Sequence, residues 1–84
     1  MSKKVSVLMS VYNGGKVLSN SIESILNQSF LNYEFLILDD ASTDETFEIM
    51  NYYKKLDNRI KLYKNNLNLG LTKSLNYLLA NSKG

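Results

Sequence analysis

An α/β domain with a parallel three-stranded sheet, in the element order β-α-β-α-β-α, is predicted by three features of this 84-residue sequence. Phe35-Leu36-Ile37-Leu38 is an unbroken run of large apolar residues, the pattern of a strand buried on both faces, as in parallel sheets. Residues 5–11 and 60–64 are two further strand-like stretches, the first rich in β-branched residues and the second alternating apolar with basic or polar ones. The segments between and after them carry apolar residues every three or four positions, the period of a helix lying on a sheet. Each strand-to-strand connection is about twenty residues long and contains a helix, which makes neighbouring strands parallel with right-handed crossovers.

Taken in order, the first strand, residues 5–11, places Val5, Val7, Met9 and Val11 on one side and Ser6, Leu8 and Ser10 on the other. Asn13-Gly14-Gly15 then turns the chain. A lone Gly-Gly without G-x-G-x-x-G spacing is weak support for a phosphate loop. Leu18, Ile22, Ile25 and Leu26 define the first helix, over about residues 16–28, and residues 29–32 make the return. The second strand spans 34–39 and stops at two adjacent carboxylates, Asp39 and Asp40. Ser42 with Glu45 three positions on reads as a capping box, so a second helix is expected over about 43–56, burying Phe47, Met50, Tyr53 and Leu56. Ile60 to Lys64 alternates as a strand at or near the sheet edge does, and residues 65–70 form an Asn-rich loop. Leu71, Leu75, Leu78 and Leu79 set the third helix, which ends near Asn81 to Gly84.

The composition excludes several function classes. Hydrophobic residues make up 44% and charged residues 21%, ordinary for a globular chain, and the net charge is +2. The lysines are scattered, so there is no nucleic-acid or membrane footprint. No Cys is present, which removes disulfides and thiol chemistry, and no His, which removes the commonest general base and metal ligand. No apolar run approaches the ~20 residues needed to span a bilayer. A reducing cytoplasm fits these features.

The candidate site lies at the carboxyl ends of the first two strands, the edge where open α/β sheets bind ligands. Ser10, Tyr12 and Asn13 arrive there from the first strand, and Asp39 and Asp40 from the second. A carboxylate accepts hydrogen bonds from ribose hydroxyls or base N–H groups, and an aromatic ring stacks on a nucleobase. Helix amino termini close by would attract phosphates. Each residue also has a plainer reading. Tyr12 can be a packed strand-end ring, Ser10 a small residue at a crowded position, and the Asp pair simple turn formers. Lys73, in the first turn of the third helix, either reaches a diphosphate or is a solvated helix lysine.

Four motifs in order resemble the family 2 glycosyltransferases of the GT-A fold: residues 5–13, residues 24–30, Leu38-Asp39-Asp40-Ala41-Ser42-Thr43-Asp44, and Asn68-Leu69-Gly70 through Asn76. The resemblance covers nearly the whole chain. It implies a Rossmann-like, three-layer half domain with strand order 3-2-1, in which the first strand lies centrally, between the second strand and a fourth strand expected beyond this chain. Residues 1–84 then read as the amino-terminal nucleotide-sugar-binding part of a GT-A domain, truncated before a fourth strand. By position, Asp40 would bind uracil or ribose, Tyr12 would stack on the base, Ser10 would line the pocket and Asp39 would brace the turn. Two departures stand out: Ala41 replaces the family's usual glycine, and Leu75 replaces an arginine beside Asn76, leaving Lys73 as the cation near the phosphates.

The resemblance implies transfer of a sugar from a nucleotide-diphosphate sugar, with UDP expected, to an acceptor hydroxyl on a glycan or lipid-linked molecule in bacterial polysaccharide biosynthesis. A divalent metal, Mg or Mn, is expected for the full-length enzyme and none for this chain alone. The family's metal motif and base are expected beyond Gly84, so the chain alone is not expected to catalyse. The expected location is the cytoplasm or the inner face of the membrane. Self-association through the first strand or the less covered sheet face is a further expectation. Two other classes remain open: a non-catalytic nucleotide-binding or assembly module, and a receiver-type phosphoacceptor domain, whose acid pair, however, follows its first strand.

Overall fold

The computed structural model describes residues 5–28 and 33–82. The notable Ser29 and Phe30 of the second motif, and the return at 29–32, lie outside the described residues. The elements are β1 (Val5–Val11), α1 (Gly15–Leu26), β2 (Tyr33–Asp39), α2 (Thr46–Leu56), β3 (Ile60–Lys64) and α3 (Leu71–Asn81). All strands are parallel, with Val5 opposite Tyr33 through Val11 opposite Asp39, and Phe35 opposite Ile60 through Asp39 opposite Lys64.

The arrangement expected from the resemblance, written 3-2-1 with the first strand central, is corrected by this pairing as to which strand is central among the described residues. The sheet runs β1-β2-β3, each strand bonded to the next in the chain. Central position belongs to β2, and β1 is an edge strand among the described residues. The physical reason is short range: a crossover of about twenty residues spans one helix and returns the chain to the neighbouring position.

Every residue of β2 is buried. Its side chains alternate between two cores. Phe35 and Ile37 join Val7, Met9, Val11, Ile60 and Leu62 beneath α1 and α2, which contribute Leu18, Ile22, Met50 and Tyr53. Leu36 and Leu38 meet Leu8, Tyr63, Leu75 and Leu78 beneath α3. Burying each of the four large residues Phe35 to Leu38 contributes roughly 1.5–3 kcal/mol, as an upper bound. The two apolar faces expected from strand alternation are therefore present, with two helices on one and one on the other.

Polar groups complete the packing. The Tyr53 hydroxyl donates to Glu23 at 2.5 Å and ties α2 to α1, which pushes the phenol pKa up. Glu34, only 1% exposed, accepts from the Ser6 hydroxyl at 2.6 Å and pairs with Lys61 at 3.3 Å, so one carboxylate links all three strands. Sequence reading took Glu34 as an ordinary strand residue, because its charge hides that it sits on the central strand.

Helix boundaries differ from expectation in informative places. α1 starts one residue earlier, at Gly15, and stops at Leu26. α2 starts at Thr46, and the Ser42–Glu45 capping box does not form. Leu56, expected in the core, is 64% exposed, and Leu71 and Leu79 on α3 are each 63% exposed. Among the described residues the sheet is three strands wide, so a helix lying on it covers one narrow stripe of its own apolar residues.

Leu78 and Leu79 are adjacent but opposite in burial, at 0% and 63% exposure. Leu78→Ala is expected to cost about 2–5 kcal/mol and Leu79→Ala less than about 0.5 kcal/mol. Urea midpoints measure both. Equal losses would contradict the placement of α3.

Candidate functional site

The three strands end level with one another. The Asp40 N–H donates to the Val11 carbonyl at 2.8 Å, and the Asn65 N–H donates to the Asp39 carbonyl at 2.9 Å, each extending a ladder by one step. Three loops thus leave the sheet side by side, after β1, β2 and β3.

The first two loops are bonded to each other. The Asn13 N–H donates to the Ser42 hydroxyl at 2.8 Å, and the Asn13 side-chain oxygen accepts from the Thr43 N–H at 2.8 Å. Asn13 makes both bonds from a left-handed backbone, φ 49°, which Asn tolerates well. Asp39, fully buried, accepts from the Ser42 N–H at 2.9 Å through one carboxylate oxygen. Its other oxygen is buried and has no hydrogen-bond partner among the described residues. Between the two lies Ala41 at φ 62°, a conformation that costs a residue with a Cβ about 1–2 kcal/mol. The glycine that the resemblance leads one to expect here has a physical basis: the turn demands the left-handed region.

Asp40 turns to the third loop. One carboxylate oxygen accepts from the Asn65 side-chain amide at 2.8 Å and from the Leu69 N–H at 2.8 Å, and the other accepts from the Gly70 N–H at 2.9 Å. The same Asn65 amide donates to the Ser74 hydroxyl at 3.1 Å. Burial is the largest single influence on this carboxyl and pushes its pKa up. Hydrogen bonds from Asn65, Leu69, Gly70 and Ser74 together outweigh it and hold the pKa below the usual value.

The structure therefore brings Ser10, Tyr12, Asn13, Asp39 and Asp40 to one edge, but gives them different surroundings. Tyr12 is 53% exposed. Ser10 lines a shallow cavity of about 200 Å³ beside α1, with Met9, Val11, Gly14, Val17, Leu18 and Ser21, a set that does not include the Asp pair. Lys73 is exposed in the first turn of α3, one position before Ser74, and among the described residues it has no ion-pair partner.

The amino termini of α1 and α2 do not lie open to phosphates as expected. The Gly15 N–H at the start of α1 donates to the Thr46 hydroxyl at 3.2 Å. The start of α2 is held by Asp44, which accepts from the Thr46 N–H at 2.9 Å and from the Thr46 hydroxyl, and whose pKa is lowered chiefly by that hydroxyl. Asp44 and Glu45 stand close to Gly15, where their charge opposes a second anion. The divalent metal was expected of the full-length enzyme and not of this chain, and among the described residues no group of three or more His, Cys, Asp or Glu could hold one.

Sequence reading missed Ser42, Asn65 and Ser74 as site-building residues. Asn65 carried a usable signal, since it follows the last residue of a strand that had to end at the same edge. Ser42 did not, because its partner Asn13 lies 29 positions away.

The glycosyl transferase family 2 model matches residues 6–84. The chain belongs to glycosyltransferase family 2. EpsE of Bacillus subtilis (strain 168) is 48% identical over 82 residues, covering 96% of this chain and 30% of EpsE. WfaP of Escherichia coli, named UDP-Glc:alpha-D-GlcNAc-diphosphoundecaprenol beta-1,3-glucosyltransferase, is 39% identical over 80 residues, covering 95% of this chain and 31% of WfaP. Among solved structures, the mannosyltransferase PcManGT of Pyrobaculum calidifontis, in complex with GDP-Man and Mn2+, superposes with a TM-score of 0.89 at 23% identity, over 95% of this chain and 24% of PcManGT. That likeness shows the fold, which is GT-A-like. The chain thus spans less than a third of the length of these relatives.

Two outcomes follow from the site's geometry. Ala41→Gly relieves the left-handed strain while adding about 0.5–1 kcal/mol of backbone freedom to the unfolded chain. A net gain of about 0.5 kcal/mol is expected, read as a higher thermal midpoint, and a lower midpoint would contradict the turn geometry.

The second outcome concerns acid. The folded-state pKa of Asp40 lies below its unfolded value, so its contribution to stability is complete above about pH 4 and lost as pH falls through the folded pKa. Asp44 and Asp57 shift in the same direction. Asp40→Asn is expected to flatten, without abolishing, the loss of stability below about pH 4, followed by denaturant midpoints. Identical acid limbs in the two chains would contradict it.

Proposed function

We propose that this chain is the nucleotide-binding part of a glycosyltransferase that moves a sugar from a nucleotide-diphosphate sugar to an acceptor hydroxyl. The observation that carries the reading is the rim at the ends of β1 and β2. There, an exposed aromatic ring, Tyr12, follows the end of β1 while the Asp39–Asp40 carboxylate pair ends the neighbouring β2, and one buried oxygen of Asp39 has no donor among the described residues. A nucleoside supplies what this rim lacks. Its flat base covers the Tyr12 ring, and its base N–H or ribose hydroxyl groups donate to a carboxylate. Asn13 fixes the ring's position, because both its backbone N–H and its side chain are bonded to the neighbouring loop. Ser10 stands one strand position short of Val11 on the same edge, and Lys73 is the exposed cation on the adjoining helix.

Family membership supports the reaction class. The name of WfaP, a glucosyltransferase that uses UDP-Glc and a lipid diphosphate acceptor, supports UDP as the nucleotide and a lipid-linked or glycan acceptor. The described residues bind and orient the nucleoside end of the donor; no step is assigned through a metal. No helix among the described residues is long and apolar enough to cross a membrane.

Titration with UDP is expected to move the amide signals of Tyr12, Asn13 and Asp39. Tyr12→Ala should weaken binding about 5- to 150-fold, the effect of losing one base–aromatic stack of about 1–3 kcal/mol. Tyr52→Ala, removing an exposed ring between α1 and α2, should leave affinity unchanged. Equal effects of the two substitutions, or no binding at millimolar UDP, would overturn the proposal.

A further inference from the structure

We propose that the outward face of α2 is a self-association surface, on which two copies of this chain pair α2 against α2, antiparallel, across a two-fold axis. The inference is independent of the nucleotide reading. It also differs from the routes expected from sequence, which ran through the first strand or the less covered sheet face.

α2 leaves one continuous stripe uncovered. At about 100° per residue, Glu48, Ile49, Tyr52, Lys55 and Leu56 fall within roughly 120° of its circumference. Thr46, Met50 and Tyr53 turn the other way, into the core. Within the stripe Tyr52 is 59% exposed and Leu56 64% exposed, with Ile49 half-buried beside them. An apolar row edged by charge has the anatomy of a protein interface. Tyr52 is also held in place. Its ring packs edge-on against Tyr53, with centroids 5.2 Å apart, and the Tyr53 hydroxyl is bonded to Glu23 on α1. A ring fixed in this way loses little freedom when a partner covers it. Next to it, a groove of about 280 Å³ between α1 and α2, lined by Ser19, Ile49 and Tyr52 among others, has room for an apolar side chain.

The charges name the occupant. Glu48 and Lys55 lie along the same edge of the stripe, two helical turns or about 10 Å apart, too far to pair with each other. Neither has an ion-pair partner among the described residues. Lys54, next to Lys55, instead donates to the Ile60 carbonyl at 3.2 Å. The midpoint of Glu48 and Lys55 falls between Asn51 and Tyr52. A two-fold axis there brings Glu48 of each copy opposite Lys55 of the other and sets the two Tyr52 rings together. Leu56 of each copy then meets Ile49 and the groove of the other. The stripe is thus complementary to itself, which is the condition of an isologous interface. A stripe of one sign would repel its own copy and call for a different partner.

Sedimentation equilibrium of the 84-residue chain, taken to millimolar concentration, tests the pairing. A monomer–dimer equilibrium is expected. Glu48→Lys alone and Lys55→Glu alone each put like charges into both cross-axis pairs, and each should weaken the dimer at least about threefold. Mixed in equal amounts, these two variants should form a heterodimer about as tight as the original dimer, because every lysine then faces a glutamate. Damage to the fold by either substitution cannot produce that rescue. Tyr52→Ala should weaken the dimer about tenfold with helix content unchanged by circular dichroism, as expected for an aromatic anchor at the axis. A chain that stays monomeric at millimolar concentration would overturn the proposal. So would a dimer indifferent to these substitutions, the result of pairing through the edge of β1, or single variants that mixing fails to rescue.

Discussion

A carboxylate can leave water only where donors meet it, and at the end of β2 two consecutive carboxylates leave water together. They are satisfied in different directions. Asp39 takes the Ser42 N–H and so closes the loop that leads to α2, while Asp40 takes Asn65, Leu69 and Gly70 and so closes the loop that leads to α3. The loops after β2 and β3 are thus shaped by charges on the central strand. The loop after β1 follows, because Asn13 is bonded to the segment that Asp39 holds. Backbone strain is concentrated at the same place, with Asn13, Gly15, Ala41 and Gly70 all at positive φ around one sheet edge. Strain of this kind persists where surrounding bonds over-determine the backbone, which is the usual condition of a ligand site.

Much of the fold was legible because the sheet imposes short-range patterns. Phe35 to Leu38 announced a strand buried on both faces, and alternation in β1 correctly divided Val7, Met9 and Val11 from Leu8. β3 and α3 came out with the bounds expected of them. What failed depended on partners far away in the chain. Ser42 has the local spacing of a helix cap, yet its hydroxyl is taken by Asn13, and the Thr46 N–H that opens α2 donates instead to Asp44, two residues earlier. Leu56 and Leu79 obey the helical period but face solvent, since the sheet beneath is narrow. The central place given to the first strand came from the resemblance rather than from these residues, and the pairing puts β2 there instead among the described residues.

The site shows a similar division. Sequence reasoning gathered Ser10, Tyr12, Asn13, Asp39 and Asp40 at one sheet edge, where the structure also places them, since strand ends follow from strand assignment. The residues alone did not distinguish the two acids; only the resemblance did, giving Asp40 the nucleotide and Asp39 the turn. That distinction needs to know where Asn65, Leu69 and Gly70 return, 25 to 30 residues later. Membership of glycosyltransferase family 2 gives the rim a chemical context, and its departures then become readable. Ala41 keeps the left-handed turn without a glycine's freedom, and Lys73 offers a cation on the helix whose start Asp40 holds.

The measurement that tests this account most directly is a crystal structure of the chain with UDP. The account predicts uracil against the Tyr12 ring, with a nucleoside N–H or hydroxyl donating to a carboxylate of the Asp39–Asp40 pair. UDP seated elsewhere, for example in the groove lined by Glu48 and Tyr52 between α1 and α2, would contradict it.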